Sequence, residues 1–177
     1  AARGVDKAIV MSAHARNIDP LAGNRILKVT LDQQPNLYGC LITHLNRVET
    51  SIEAMKEMMN NRRFLGMAIA GNHDMEPVHR LVADELINAY RRYSKPLFLF
   101  ANSAEMVEAA LDIARHFTMI KIVLLGMGGS DWRAAIAAAH TVSNIYIETS
   151  GPLDRAKLPS AVESIGVNRI LFGSGTP

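Results

Sequence analysis

At 177 residues and 49% hydrophobic, the chain can bury one sizeable core, and its nineteen Lys and Arg against seventeen Asp and Glu leave a net charge of only +2. The basic residues are scattered apart from the pairs Arg62-Arg63 and Arg91-Arg92, which excludes a basic face for nucleic acid. Apolar runs such as 97–101 and 122–125 fall far below the roughly 18 residues that span a bilayer, Cys40 has no disulfide partner, and residues 1–7 lack the apolar centre of a secretory signal; one soluble domain over 1–177 in a reducing, cytoplasmic setting is expected.

Short β-branched and apolar runs at 7–11, 37–42, 64–70, 96–100, 120–125, 144–148 and 169–172 alternate with longer segments of helical period. Their starts lie about 24 to 32 residues apart, near the roughly 30 that a strand, a crossover helix and its turns require. The pattern predicts βα units feeding a parallel sheet. The first run is followed by His14 and the second by His44, after which Thr50 with Glu53 forms an expected capping box opening a helix whose Ile52, Met55 and Met59 share one face. His73 follows the third run, and the next helix is expected to turn Val82, Leu86, Ala89 and Tyr93 inward. After the fourth run, Val107, Ala110, Leu111 and Ala114 repeat that arrangement. The fifth run leads into the turn Gly126-Met127-Gly128-Gly129-Ser130, with Asp131 and Trp132 beyond it; the sixth carries Glu148, and the seventh ends in Gly173-Ser174-Gly175.

Seven strands are one short of a closed TIM-type barrel, which takes roughly 250 residues, and an unclosed parallel sheet leaves two edges of unpaired backbone groups. The fold class expected is therefore α/β, a TIM-type (β/α) barrel with its strands two to eight present and its first strand and last helix absent. Either the chain is part of a longer product or another chain covers the edges. The partner expected is a second protein or a second copy of this one, with no nucleic acid and no membrane.

Such barrels keep their chemistry at the C-terminal ends of the strands, so His14, His44 and His73 are candidates for a relocated metal or acid–base site. The same three equally suit backbone capping or solvent contact, and His79, His116 and His140 lie in or beside helices where no chemistry is implied. The two glycine-rich turns could cradle a phosphate with backbone N–H groups or simply make tight turns. Glu148 and Asp131 are candidate general bases if burial raises their pKa; alternatively Asp131 caps a helix and Glu148 pairs with a neighbouring Arg or Lys.

Three segments also carry a resemblance. Lys121-Ile122-Val123-Leu124-Leu125-Gly126-Met127-Gly128-Gly129, Asn144-Ile145-Tyr146-Ile147-Glu148-Thr149-Ser150-Gly151 and Gly166-Val167-Asn168-Arg169-Ile170-Leu171-Phe172-Gly173-Ser174-Gly175-Thr176-Pro177 resemble the sixth, seventh and eighth strands of the amidohydrolase-related TIM-barrel hydrolases and decarboxylases. That group includes aminocarboxymuconate semialdehyde decarboxylase. Gly4-Val5-Asp6-Lys7-Ala8 and Lys95-Pro96 echo the second and fifth strands, so the resemblance spans nearly the whole chain. It implies a divalent metal such as zinc, held by a His-x-His pair on strand one, a His after strand five and an Asp after strand eight. A further His after strand six binds metal or acts on its water. Carried over, the strand-five His falls at Phe100, or at Ala101 if the register slips by one, the strand-six His at Gly126 and the strand-eight Asp at Gly175. None of these side chains has a lone pair to offer, and the strand-one pair lies in the absent strand. The resemblance therefore implies a barrel without its metal or another cofactor, serving as a non-catalytic structural or regulatory partner. The alternative is a metal-dependent hydrolase or decarboxylase of a small carboxylated or cyclic substrate, with ligands relocated or supplied by a partner.

Overall fold

The computed structural model describes residues 4–71 and 76–175. Among them, seven strands pair side by side in chain order: β1 (Ala8–Val10), β2 (Leu37–His44), β3 (Phe64–Ala70), β4 (Leu97–Phe100), β5 (Ile122–Leu125), β6 (Ile145–Glu148) and β7 (Ile170–Leu171). Every neighbouring pair is parallel, and helices α1 (Ala13–Asn17), α2 (Pro20–Gln33), α3 (Val48–Met58), α4 (Arg80–Tyr90), α5 (Ala104–His116), α6 (Trp132–Thr141) and α7 (Lys157–Ile165) fill the crossovers. The result is the curled wall of an incomplete TIM-type barrel, with all seven predicted runs in place. β1 and β7 are its two open edges.

Side-chain alternation gives the sheet two faces. Met67, Ile69, Leu97, Leu99, Ile122, Leu124, Ile145 and Ile147 are buried against the helices in the larger core cluster. Cys40, Ile42, Ala68, Ala70, Phe98 and Val123 make a second cluster, flanked by Phe100, Leu125 and Tyr146. Continuing that second alternation upward carries His44, Phe100 and Glu148 to the strand tips.

Two helix details depart from expectation. The helix after β2 opens at Val48 with Arg47 as its N-cap and no side-chain capping bond, so Thr50 and Glu53 lie inside the helix and form no capping box. Met55 and Met59 are nonetheless buried and Ile52 packs on the core. In α4 the buried stripe is Ala83, Leu86, Ile87 and Tyr90, and Val82 is exposed. Tyr90 sets this phase: its hydroxyl donates to the Pro96 carbonyl oxygen at 2.7 Å, which draws the helix in on that side.

At the N-terminal ends of the strands, one device recurs. Helix termini leave carbonyl oxygens without intrahelical partners, and here a long polar side chain preceding the next strand collects them. Arg63 donates to the carbonyls of Leu31, Pro35 and Leu37, and Lys95 to those of Met59, Asn61 and Phe64. Asn144 serves Ala114, Phe117 and Ile120, and Arg169 serves Ala139 and Val142. No helix among the described residues is long and apolar enough to cross a membrane.

Candidate functional site

Two groups of residues meet at the C-terminal mouth. The first surrounds a cavity of about 400 Å3 over the tips of β2, β3 and β4. Arg16 and Ile18 enter it from α1 and the residue after it, His44 and Arg47 from β2 and the turn beyond, and Phe100 from β4. α1 is short but fixed. Ser12 caps it by accepting from the Ala15 N–H at 3.1 Å, and Gly23 of α2 lies so close that a Cβ there would meet Ala15 N at 2.1 Å. The Arg16 guanidinium stacks over the Phe100 ring, 4.2 Å from its centroid, a cation–π geometry. Arg47 Nη1 donates to the Ile18 carbonyl oxygen at 3.0 Å. His44 Nε2 lies 3.1 Å from the Ala15 carbonyl oxygen, which can only accept, so that nitrogen carries a proton.

The second group occupies the tips of β5, β6 and β7. Glu148 is buried, and its carboxylate accepts from the Gly126 N–H at 3.2 Å, the Ser150 N–H at 2.8 Å and the Ser150 hydroxyl at 2.5 Å. Lys157 is buried beside it and donates to the Ser150 carbonyl oxygen at 2.8 Å. Burial pushes the Lys157 ammonium below the usual lysine pKa, opposed by the negative charges of Glu148 and Asp154. Gly126 has φ +82°, and a Cβ on it would meet Asn102 Oδ1 at 2.3 Å. A Cβ on Gly175 would meet the Ser150 Cβ at 2.9 Å.

These contacts decide whether a divalent metal suits the tips that the resemblance assigns to it. Phe100, Gly126 and Gly175 supply no side-chain nitrogen, oxygen or sulfur, the only donors such an ion takes from side chains. The space next to Gly126 is filled by the Asn102 carboxamide, and the nearby carboxylate, Glu148, has its oxygens engaged by Gly126 and Ser150. The residues present do not fit a metal there. Among the described residues, no group of three or more His, Cys, Asp or Glu is placed to hold one.

The remaining candidates separate. His44 faces the cavity, His14 sits on α1 outside its lining, and His73 lies outside the described residues. Asp131 does cap a helix, but not its own: its Oδ2 accepts from the Ala104 N–H at 3.2 Å, at the first turn of α5, because the turn from β5 carries it across to that neighbour. Glu148 makes no ion pair within 4 Å among the described residues; its partners are the backbone and Ser150, which correct the expected Arg or Lys contact. In the first glycine turn three N–H groups already have partners within the chain. Gly128 N–H donates to Ala101 O, Gly129 N–H to Gly126 O, and Gly126 N–H to Glu148. At the second turn the Gly173 N–H lies 3.4 Å from Thr149 Oγ1.

Sequence reasoning missed Arg16, Arg47, Asn102, Ser150 and Lys157. Arg16 and Arg47 stand two and three residues beyond His14 and His44, a local signal that strand-end polar residues come in groups. Lys157 follows a loop after β6 and gives no such cue.

A family model described as Amidohydrolase matches residues 2–177. The fold is similar to 2,6-dihydroxybenzoate decarboxylase from Rhizobium at 17% identity and TM-score 0.76, covering 99% of this chain and 75% of that one. It is similar to 5-carboxyvanillate decarboxylase from Sphingomonas paucimobilis at 14% identity and TM-score 0.73, with 99% and 70% covered. A 5-carboxyvanillate decarboxylase from Novosphingobium aromaticivorans, complexed with manganese and 4-hydroxy-3-methoxy-5-nitrobenzoic acid, gives 14% identity and TM-score 0.76, with 98% and 67% covered. At these identities the likeness is one of fold. A comparison with curated proteins finds no match.

Proposed function

The chain belongs to the amidohydrolase family, and from that premise we propose that it is a degenerate member: a single domain over 1–177 that serves as a non-catalytic structural or regulatory partner, cytoplasmic and assembled with another copy or another protein. One observation carries this reading. At the tips of β4, β5 and β7, where the resemblance assigns His, His and Asp, stand Phe100, Gly126 and Gly175. Zinc hydrolases use three protein ligands to lower the pKa of bound water towards roughly 7; here the side chains that would do so are a benzyl group and two hydrogens. The surroundings fit that loss. Arg16 places a positive charge over Phe100, and Asn102 and Ser150 crowd the two glycines.

Metal analysis of the purified chain, before and after equilibration with zinc or manganese, tests the proposal. Less than about one-tenth equivalent of metal is expected in each case, against the near-stoichiometric content of a working three-ligand site. Tight, saturable uptake of one equivalent would sink the reading.

A second reading is favoured by the likeness to solved decarboxylases and by the His44-lined cavity: a metal-dependent hydrolase or decarboxylase of a small carboxylated or cyclic substrate, its ligands relocated among His14, His44 and His73 or completed by a partner. Carbon dioxide release from 2,6-dihydroxybenzoate or 5-carboxyvanillate, metal-dependent and abolished by His44→Ala, would favour this reading over the first.

A further inference from the structure

Basic residues that stand apart in the sequence are gathered by the fold at the N-terminal ends of the strands. The helix-to-strand connections 34–36, 59–63, 91–96, 117–121, 142–144 and 166–169 all lie among the described residues, and they contain no Asp or Glu. Their charges are all positive: Arg63, Lys95 and Arg169, which take helix carbonyls, and Arg62, Arg91, Arg92 and Lys121, which are exposed. At the opposite ends the strand-to-helix connections carry Arg47 and Arg155 against Glu76, Asp131 and Asp154 among the described residues. Three of the basic connections touch one another. Lys95 Nζ donates to the Met59 and Asn61 carbonyls, tying 91–96 to 59–63, and the Leu97 N–H donates to the Lys121 carbonyl at 2.8 Å, tying β4 to 117–121. The exposed cations thus share one rim below β3, β4 and β5, bordered by exposed Arg115 in the last turn of α5. Glu57, in the last turn of α3, is held by Arg25 at 2.8 Å. Among the described residues, Arg62, Arg91 and Arg115 are in no ion pair, whereas Arg92 stacks on Tyr93 and Lys121 lies 5.9 Å from the centre of the Tyr146 ring. Met119, in the same connection as Lys121, is 95% exposed.

From this arrangement we infer that the rim docks an acidic, partly apolar segment of a partner protein; the inference gives a chemistry to the partner role proposed above and rests on it. Cations suit helix C-termini, where they offset the negative end of the dipole. Arg63, Lys95 and Arg169 do that work through their carbonyl bonds, which leaves the forks of Arg62, Arg91 and Arg115 for a ligand. A guanidinium takes a carboxylate through two parallel N–H···O bonds, and like charges gathered without a counter-charge attract an acidic chain and speed its encounter. Met119 adds a flexible apolar contact beside the charges. That mixture matches a polypeptide carrying carboxylates and apolar side chains together, and favours it over a uniform phosphate backbone.

The test titrates the full chain into a fluorescent peptide of alternating Glu and Leu, followed by anisotropy, with a single-stranded DNA oligonucleotide and phosphatidylserine vesicles as separate arms. Saturable binding of the peptide is expected, weakening as salt is raised. Reversing two rim charges together, Arg62→Glu with Arg91→Glu, is expected to weaken it about tenfold or more. Arg155→Glu, which makes the same kind of change at the opposite end, is expected to leave binding within about twofold of the parent. No saturable peptide binding overturns the proposal, and so does an equal loss in Arg155→Glu, which would mark a response to net charge alone. Tighter binding of the oligonucleotide or the vesicles than of the peptide overturns the assignment to an acidic protein. If the first pair of substitutions unfolds the chain, Arg115→Glu with Lys121→Glu carries the same expectation, and unchanged binding in that folded variant overturns the rim. The metal analysis above is independent of every arm, so failure of the rim and failure of the non-catalytic reading are told apart.

Discussion

Gly126 shows how much a single residue decides at this mouth. Its φ of +82° is a conformation that side chains with a Cβ rarely adopt, and the Asn102 carboxamide already occupies the place where a Cβ would begin. Gly126→His is therefore expected to cost about 2–3 kcal/mol of stability, read as a lowered urea midpoint, without creating a metal site; a variant as stable as the parent would show that the loop has room to spare. Asp154 supplies the pH-dependent counterpart. Its carboxylate accepts from the Ala156 N–H at 2.8 Å and the Trp132 indole N–H at 3.0 Å, and these bonds hold its pKa below the ordinary 3.8. A carboxyl group with a lower pKa folded than unfolded stabilises the protein above 3.8, and that contribution disappears as the pH falls through the folded value. Asp154→Asn should accordingly lose less Tm than the parent on acidification below pH 3.8. Parallel Tm curves for the two would remove Asp154 from the acid response.

At the scale of elements, the short β1 leaves a problem that α2 solves. β1 pairs with β2 only from Leu37 to Gly39, so the upper part of β2 has no strand on that side. Asn24, fully buried on α2, takes the strand's place: its Nδ2 donates to the Ile42 carbonyl at 2.7 Å and its Oδ1 accepts from the Ile42 N–H at 3.1 Å. Removing the amide strands two buried backbone groups, each costing about 1–3 kcal/mol. Asn24→Ala is expected to lower stability by about 2–4 kcal/mol by urea denaturation, and to expose the Ile42 amide to faster hydrogen exchange. Unchanged exchange at Ile42 would mean that the sheet edge does not depend on this contact.

At the scale of the whole fold, β1 and β7 are the outer strands among the described residues. Ile9 on β1 is half exposed, and Leu171 on β7, with the following Phe172 at 86% exposure, presents an apolar rim on the opposite edge. On the proposed partner role, apolar side chains exposed along these strands favour association, so light scattering at micromolar concentration is expected to report an assembly; a folded monomer there would contradict that role. How much of this was legible in the residues depends on whether the signal is local. Strand runs, their spacing and the parallel α/β barrel were legible because hydrophobic period and β-branching act within one element, and all seven strands lie where those runs predict. The identities at the tips were equally legible, since Phe and Gly lack donors wherever they are placed. Tertiary packing alone decided the rest: that Asp131 caps the helix next door, that Glu148 turns to Ser150 and the Gly126 backbone, and that Arg16 reaches Phe100. These partners are 27, 22 and 84 residues apart along the chain for the Asp131, Glu148–Gly126 and Arg16–Phe100 contacts. No local pattern encodes such a pairing, because it arises only when the sheet curls and sets the strand tips side by side.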